Sequence, residues 1–257
     1  MNLLLAGILS SVSGVVIGTL GAGGSILMIP ILVYVLQMPV KTAMGITLLT
    51  IGLTGFLATI SHQRQKNVFW QIAVPWSIAG IIASYFGGRL AQFLPETVLL
   101  LIFGLVVIAA AISLLRGVKG KSVVTDADDL IIDLPMLRIL PTGAGLGFLT
   151  GLIGVGGGFL LVPALHQLKI RMHQAIGTSL AIISIQSVAG FVGYSNHTQF
   201  SISVLSVVSG ATILGSLFGA ELNRHLSSTQ LKAAFAFLLL GVGIITLIGS
   251  LASGNFF

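Results

Sequence analysis

The chain has 257 residues, of which 55% are apolar, and its mean hydropathy is +1.09. Charged residues make up only 7% of the sequence, against about 25% in a typical soluble domain, which excludes a soluble enzyme and a disordered chain. The net charge of +6 is spread thinly, which indicates the loops of a polytopic membrane protein rather than a nucleic-acid-binding surface, and the absence of cysteine excludes disulfides and thiolate chemistry.

Eight apolar runs follow one another along the chain, and a membrane crossing needs about 20 such residues. They cover 3–36, 42–61, 68–94, 97–115, 138–168, 174–195, 200–222 and 229–251. No Lys or Arg precedes the first run, so we expect it to be a membrane span rather than a secretory signal. The polar stretch 116–137 holds four of the six acidic residues and is predicted to be a loop.

Two of these runs are too long for a single crossing. A straight helix over 3–36 would measure about 50 Å, against a hydrocarbon core of about 30 Å, and 138–168 has the same problem. Glycines interrupt each run near its middle, at 21–25 and at 154–158. Because glycine costs about 1 kcal/mol per residue in a helix interior, we predict two shorter helices joined at a glycine turn in each run.

The two interruptions belong to an internal repeat. Residues 18–30 match residues 151–163 at an offset of 133, and residues 45–48 match residues 177–180 at an offset of 132. Glycine-interrupted hydrophobic segments at matching positions of two halves indicate the binding site of a transporter.

The repeat therefore divides the chain into three parts. We predict a first transmembrane repeat over 1–115, a cytoplasmic linker loop over 116–137 and a second transmembrane repeat over 138–257. Each repeat is expected to be all-α.

The basic residues discriminate between two topologies. If each glycine-broken run crosses once, the 12 Lys and Arg divide equally between the two sides, whereas ten lie on one side if each run turns back at its glycines. Cytoplasmic loops carry the excess of basic residues, so the second topology is favoured. It gives two inverted halves, each with a hairpin-like helix pair and about three full transmembrane helices. Both termini are then extracytoplasmic, and inverted halves are typical of alternating access.

The glycine turns are the candidate binding site. A helix N-terminus offers unpaired N–H groups and about half a unit of positive charge, and glycine lets a ligand approach the backbone. Two such helix starts facing each other near the membrane midplane predict a site for a small anion. The alternative is close helix packing, which we expect for Gly14, Gly18, Gly147 and Gly151. The candidate ligands are Gly21, Gly23, Gly24, Ser25, Gly154, Gly156, Gly157 and Gly158.

Polar side chains in the neighbouring runs are predicted to complete this site. Thr47 and Ser179 occupy equivalent positions of the two halves, and Gln186 is equivalent to Thr54. Thr47, Ser179 and Gln186 are therefore added as candidate ligands, although such hydroxyls also bond to their own helix.

No catalytic set, nucleotide motif or metal-ligand spacing is present, so neither an enzyme nor a cofactor is expected. Apart from Glu221, no acidic residue lies near the middle of a run, and the histidines lie at or near loop edges. This pattern favours anion movement that is driven by the membrane potential or is uncoupled, over proton coupling.

The doubled glycine motif, followed in each half by an apolar stretch and then Pro30 or Pro163, resembles the sulfite exporter TauE/SafE family of membrane transport proteins. The resemblance covers nearly the whole chain, with Ser25 standing where the second copy has Gly158. It implies a secondary transporter, specifically an exporter, of small anions of the sulfite or organosulfonate type. A channel-like anion pore using the same site is the alternative.

The resemblance also implies a multi-pass protein of a bacterial-type inner membrane. The expected partners are a small anionic substrate and the lipid bilayer, without nucleic acid, and a homodimer is left open as the assembly.

Overall fold

A computed structural model describes residues 2–116, 136–167, 170–194, 201–223 and 225–252, and every regular element within these ranges is helical. The all-α prediction is therefore confirmed for the described residues. Most of the predicted linker 116–137 lies outside them, as does the C-terminal segment 253–257.

The first half contains five helical segments. Helix α1 is followed by a short irregular helix, α2, which passes from a 3-10 turn through one α turn to a π turn because its backbone hydrogen bonds change spacing. The bounds are α1 Asn2–Leu20, α2 with its three pieces Ala22–Leu27, Met28–Pro30 and Ile31–Val35, α3 Val40–Arg64, α4 Trp70–Ala91 and α5 Glu96–Arg116.

The second half repeats this order. Its helices are α6 Met136–Ile153, α7 Gly158–Gln167, α8 Met172–Tyr194, α9 Ile202–Asn223 and α10 Ser228–Ala252. By position in the repeat, α6 corresponds to α1, α7 to α2, α8 to α3, α9 to α4 and α10 to α5.

Five of the described helices are long and apolar enough to cross a membrane, by length and composition. These spans are Leu3–Leu20, Val40–Arg64, Glu96–Ser113, Met172–Tyr194 and Ile202–Asn223. Shorter apolar helices cover Gly24–Val35, Leu140–Ile153 and Ala233–Ile248. Large apolar side chains such as Phe56, Leu214 and Phe237 are exposed on the outside of the bundle, where a soluble protein would place charge.

Packing joins the two halves. Helix α1 packs along α9 and its counterpart α6 packs along α4, while α3 contacts α9 and α8 contacts α4. The remaining large contacts pair counterparts with each other, α3 with α8 and α5 with α10. This contact pattern is unchanged when the two halves are exchanged. Helices α3 and α8 form the centre, since they are the most buried of the five spans.

Small residues allow the closest of these contacts. A methyl group at Gly18 would overlap the carbonyl oxygen of Ser216 on α9, and one at Gly151 would overlap that of Ser84 on α4. Gly14 and Gly147 face the backbones of Thr212 and Gly80 in the same way. The packing role predicted for Gly14, Gly18, Gly147 and Gly151 is confirmed.

Candidate functional site

The first glycine turn reverses the chain after α1. Gly21 has φ 78° and ψ −165°, a backbone conformation that a residue with a side chain rarely adopts. Three residues later the chain lies back against α1, where the Ser13 hydroxyl donates a hydrogen bond of 2.8 Å to the Gly24 carbonyl. A Cβ at Gly24 would overlap the backbone of Ile17, so Gly24 serves close packing. The 3-10 turn that starts α2 includes Gly23, and Ser25 within it is fully buried.

The second turn contains three left-handed glycines. The φ values are 70° at Gly154, 67° at Gly156 and 54° at Gly157, a region that glycine adopts far more readily than other residues. A side chain at Gly157 would overlap Thr150 of α6, which shows that the turn stays close to that helix. Helix α7 then begins at Gly158.

Contacts with α3 and α8 show where each glycine turn lies along the axis of the bundle. Gly52 of α3 faces Val188 and Gly55 faces Leu180, so α3 and α8 run antiparallel. Gly21 lies beside Ile176, near the start of α8, and Gly154 lies beside Met44, near the start of α3.

The two turns therefore lie on opposite sides of the centre of the bundle, and the prediction that they face each other near the membrane midplane is wrong, because each turn packs at the start of a different central helix. Among the turn glycines whose surroundings the structure describes, Gly156 reaches the centre, and its Cβ position is 2.9 Å from the Ile51 side chain and 3.1 Å from that of Ile183.

A hydroxyl group also reaches this central position. The Ser187 Oγ lies 2.9 Å from the Cβ position of Gly156, is buried and has no hydrogen-bond partner. Sequence reasoning ranked Ser187 below Thr47, Ser179 and Gln186, and because its equivalent in the first half is Gly55, the repeat gives no signal there. Gly156 and Ser187 thus lie next to each other beside the central parts of α3 and α8.

The three predicted polar ligands differ in their surroundings. The Ser179 hydroxyl lies beside Gly21, 3.1 Å from its Cβ position, but donates to the Ile176 carbonyl of its own helix at 2.8 Å. The Thr47 hydroxyl is buried and has no partner. Gln186 lies against α4, where its Nε2 donates to the Trp76 carbonyl at 3.2 Å and its Oε1 has no partner. The structure thus brings Ser179 to a glycine turn and turns Gln186 toward α4.

Several unpaired polar atoms are concentrated in the central helices. Buried polar groups in proteins are nearly always hydrogen-bonded, and leaving one unpaired costs about 1–3 kcal/mol. Among the described residues, helices α3, α4 and α8 carry eight such atoms, which are Thr47 Oγ1, Thr54 Oγ1, His62 Nδ1, Trp76 Nε1, Ser77 Oγ, Gln174 Oε1, Gln186 Oε1 and Ser187 Oγ. Such atoms are available to bind a polar solute within an otherwise apolar bundle.

Similar proteins are known by sequence. The chain is 27% identical over 254 residues to the "Probable membrane transporter protein MJ0441" of Methanocaldococcus jannaschii, which covers 91% of this chain and 93% of that protein. It is 29% identical over 250 residues to a "Probable membrane transporter protein" of Xylella fastidiosa, covering 93% of each. With the "Probable membrane transporter protein YdhB" of Bacillus subtilis it shares 26% identity over 225 residues, covering 86% and 90%. No solved structure matches significantly.

The sequence profile of one family, described as "Sulfite exporter TauE/SafE", matches residues 3–246. That match extends across both glycine turns and nearly all of the helical bundle. This chain therefore belongs to the sulfite exporter TauE/SafE family and is a membrane transporter.

Proposed function

We propose that this transporter is a secondary exporter of small anions of the sulfite or organosulfonate type, bound at the centre of the bundle beside the glycine-rich start of α7. The observation that carries the proposal is the unpaired Ser187 hydroxyl beside Gly156 at the centre of the bundle. The backbone N–H groups at the start of α7 and its partial positive charge favour an anion there, and glycine keeps a further side chain out of this crowded position. An oxyanion would accept hydrogen bonds from these groups.

Alternating access is the proposed mechanism, with the two halves inverted. Support comes from α3 and α8, which are equivalent in the repeat and antiparallel in space. Further support comes from the packing of helices, which keeps the same pattern when the halves are exchanged. Inverted repeats of this kind allow one half to rock against the other around a fixed site.

The distribution of charge supports an orientation in an inner membrane. Arg64, Lys66 and Arg171 lie at the end of the bundle where α3 ends and α8 begins, whereas Lys41 and Arg89 lie at the other end. Because basic residues accumulate on the cytoplasmic side, we assign the first end to the cytoplasm and both termini to the outside.

Cysteine labelling tests this orientation, because the chain has no native cysteine. Lys66 and Phe93 are exposed and lie at opposite ends of the bundle. In intact cells we expect a membrane-impermeant maleimide to label Phe93→Cys but not Lys66→Cys. After permeabilisation we expect the maleimide to label Lys66→Cys as well. Labelling of Lys66→Cys in intact cells would contradict the proposed orientation.

Uptake of labelled sulfite into proteoliposomes tests the function. We expect competition by small sulfonates but not by a cation or a neutral amide of similar size, because the helix starts favour negative charge. Ser187→Ala is expected to weaken apparent affinity by about 2- to 13-fold, equivalent to one hydrogen bond of about 0.5–1.5 kcal/mol.

The matched control for this variant is Ser184→Ala. The Ser184 hydroxyl is also buried on α8 but donates to the Ala181 carbonyl of its own helix at 2.8 Å, so its loss should leave affinity unchanged. Equal effects of the two variants would contradict the site. Unitary currents in a planar bilayer would instead support the channel-like pore.

A further inference from the structure

A second polar region lies away from Gly156, at the end of the bundle assigned above to the cytoplasm. A cavity of about 600 Å³ lies there, lined by side chains from the end of α3, the start of α8 and the end of α9. Its volume is within the range of small-molecule sites. The lining residues are Ser61, Arg64, Gln65, Asn67, His173 and Glu221.

Hydrogen bonds connect this cavity to the first glycine turn. His173 Nδ1 is 2.8 Å from the Asn223 Oδ1, and the Asn223 Nδ2 donates at 2.6 Å to the carbonyl of Thr19, two residues before Gly21. His62, fully buried, donates from Nε2 to the Gly18 carbonyl at 3.1 Å. The last carbonyls of a helix have no partner within it, so these side chains fix the end of α1.

The hydrogen bond to Asn223 also determines where His173 can take up a proton. An amide oxygen only accepts hydrogen bonds, so Nδ1 of His173 carries a hydrogen and Nε2 is the atom that binds a second one. Histidine is the side chain whose charge changes near neutral pH. The cavity wall therefore contains a proton-binding atom, His173 Nε2. The other ring nitrogen of His173 is linked through the Asn223 side chain to the end of α1.

The charges of the lining side chains make proton binding and anion binding dependent on each other. With His173 neutral, the positive charge of Arg64 is balanced by the negative charge of Glu221, and with His173 protonated the lining carries a net positive charge. Lys66, Arg171 and Arg224 are the other charged residues close in sequence to the lining, and His62 of α3 interacts electrostatically with His173. Helix α1 contributes no titratable side chain. An anion is thus favoured by the protonated form, and the linkage is reciprocal.

We infer that this cavity is a proton-linked binding site for a small oxyanion, held by Arg64 and protonated His173, at the cytoplasmic mouth of the transport path. The inference rests on the proposed function in taking the bound anion to be the transported one. It differs from the sequence-based expectation that the membrane potential alone drives movement.

The opposite end of the bundle supports this assignment by contrast. At the offset of 132, His62 corresponds to Tyr194 and His173 to Lys41. The Tyr194 hydroxyl donates to the Leu152 carbonyl at 3.0 Å, so Tyr194 holds the end of α6 as His62 holds the end of α1. Lys41 donates to the Gln92 carbonyl at 2.7 Å. His62 and Tyr194 thus make equivalent contacts with the ends of α1 and α6. In both equivalent pairs, His62 with Tyr194 and His173 with Lys41, the histidine is the residue at the cytoplasmic end.

Binding of methanesulfonate to the purified full-length protein tests the inference, because the charge of this anion is constant near neutral pH. Calorimetric affinity should fall as the pH rises from about 5.5 to about 8.5, by at most about tenfold per pH unit for one linked proton. His173→Gln should abolish this pH dependence, and Arg64→Gln should weaken binding at every pH. Lys41→Gln, at the equivalent position of the opposite end, should leave both unchanged.

Two results would overturn the inference. One is wild-type affinity that does not vary with pH, and the other is unchanged pH dependence in His173→Gln. Thermal unfolding of each variant separates loss of binding from loss of fold, and Arg64 is an exposed residue whose replacement leaves the core intact. If methanesulfonate is transported but bound independently of pH, the inference fails and the proposed function stands, whereas failure of every anion to bind contradicts both.

Discussion

Gly151→Ala is expected to destabilise the protein by about 1–3 kcal/mol or more, the cost of overpacking a close contact. The added methyl group would overlap the Ser84 carbonyl oxygen and approach the Gly88 backbone nitrogen to 2.9 Å. Both atoms belong to the backbone of α4, so neither can rotate away, and α4 and α6 would have to separate. Thermal unfolding in detergent, followed by tryptophan fluorescence, measures the loss.

Gly145→Ala is the matched control for this substitution. Gly145 lies on the same helix, but a Cβ there meets nothing within 4 Å. Because alanine favours a helix interior over glycine by about 0.5–1 kcal/mol, this variant should be as stable as the wild type or more stable. Equal destabilisation by both variants would contradict the assignment of Gly151 to the α4–α6 contact.

The parts of the fold that follow from local chemistry could be predicted. Composition alone indicated membrane helices, because 7% charged residues cannot cover a surface in water. The spacing of Gly147 and Gly151 indicated close packing, because two glycines four residues apart expose backbone along one helix face. The conformations of Gly21 and Gly154, with φ values of 78° and 70°, are ones that glycine adopts far more readily than other residues.

The choice of packing partners could not be predicted in this way. In lipid the hydrophobic effect does not distinguish one apolar helix face from another, so the sequence does not reveal that α1 packs on α9 in the other half. The contact between Asn223 and Thr19 follows from that pairing across 204 residues. His62 lies at the edge of an apolar run yet is fully buried, because its imidazole bonds to the end of α1.

The same limit applies to the candidate site. The repeat identified both glycine turns, but the midplane position predicted for them was wrong, because their position along the bundle depends on how α3 and α8 pack. Only the three-dimensional arrangement brings Ser187 beside Gly156 and turns Gln186 toward Trp76. Equivalent positions in a repeat share backbone surroundings, whereas the ligand-binding side chains of the two halves are free to differ.

Gly156→Ala is expected to reduce sulfite transport by about tenfold or more while the protein remains folded. The methyl group would lie 2.9 Å from both Ser187 Oγ and the Ile51 side chain, closer than van der Waals contact, and would push away the Ser187 hydroxyl that is proposed to bind the anion. These neighbours are ends of side chains that can shift, so the cost to stability is mainly that of alanine at φ 67°, about 1–2 kcal/mol. Proteoliposome uptake and thermal unfolding measure the two effects separately.

Chemical protection at Ser187 tests the same space without adding strain at Gly156. Ser187→Cys introduces the one thiol of an otherwise cysteine-free chain at a buried position beside the second glycine turn. A small thiol-reactive reagent should modify it slowly and block transport, and saturating sulfonate should protect it, because anion and reagent compete for one space. Ser184→Cys, three residues away on α8, should show no protection by the anion. Modification of Ser187→Cys at an unchanged rate in the presence of every transported anion would exclude the space beside Gly156 from the binding site.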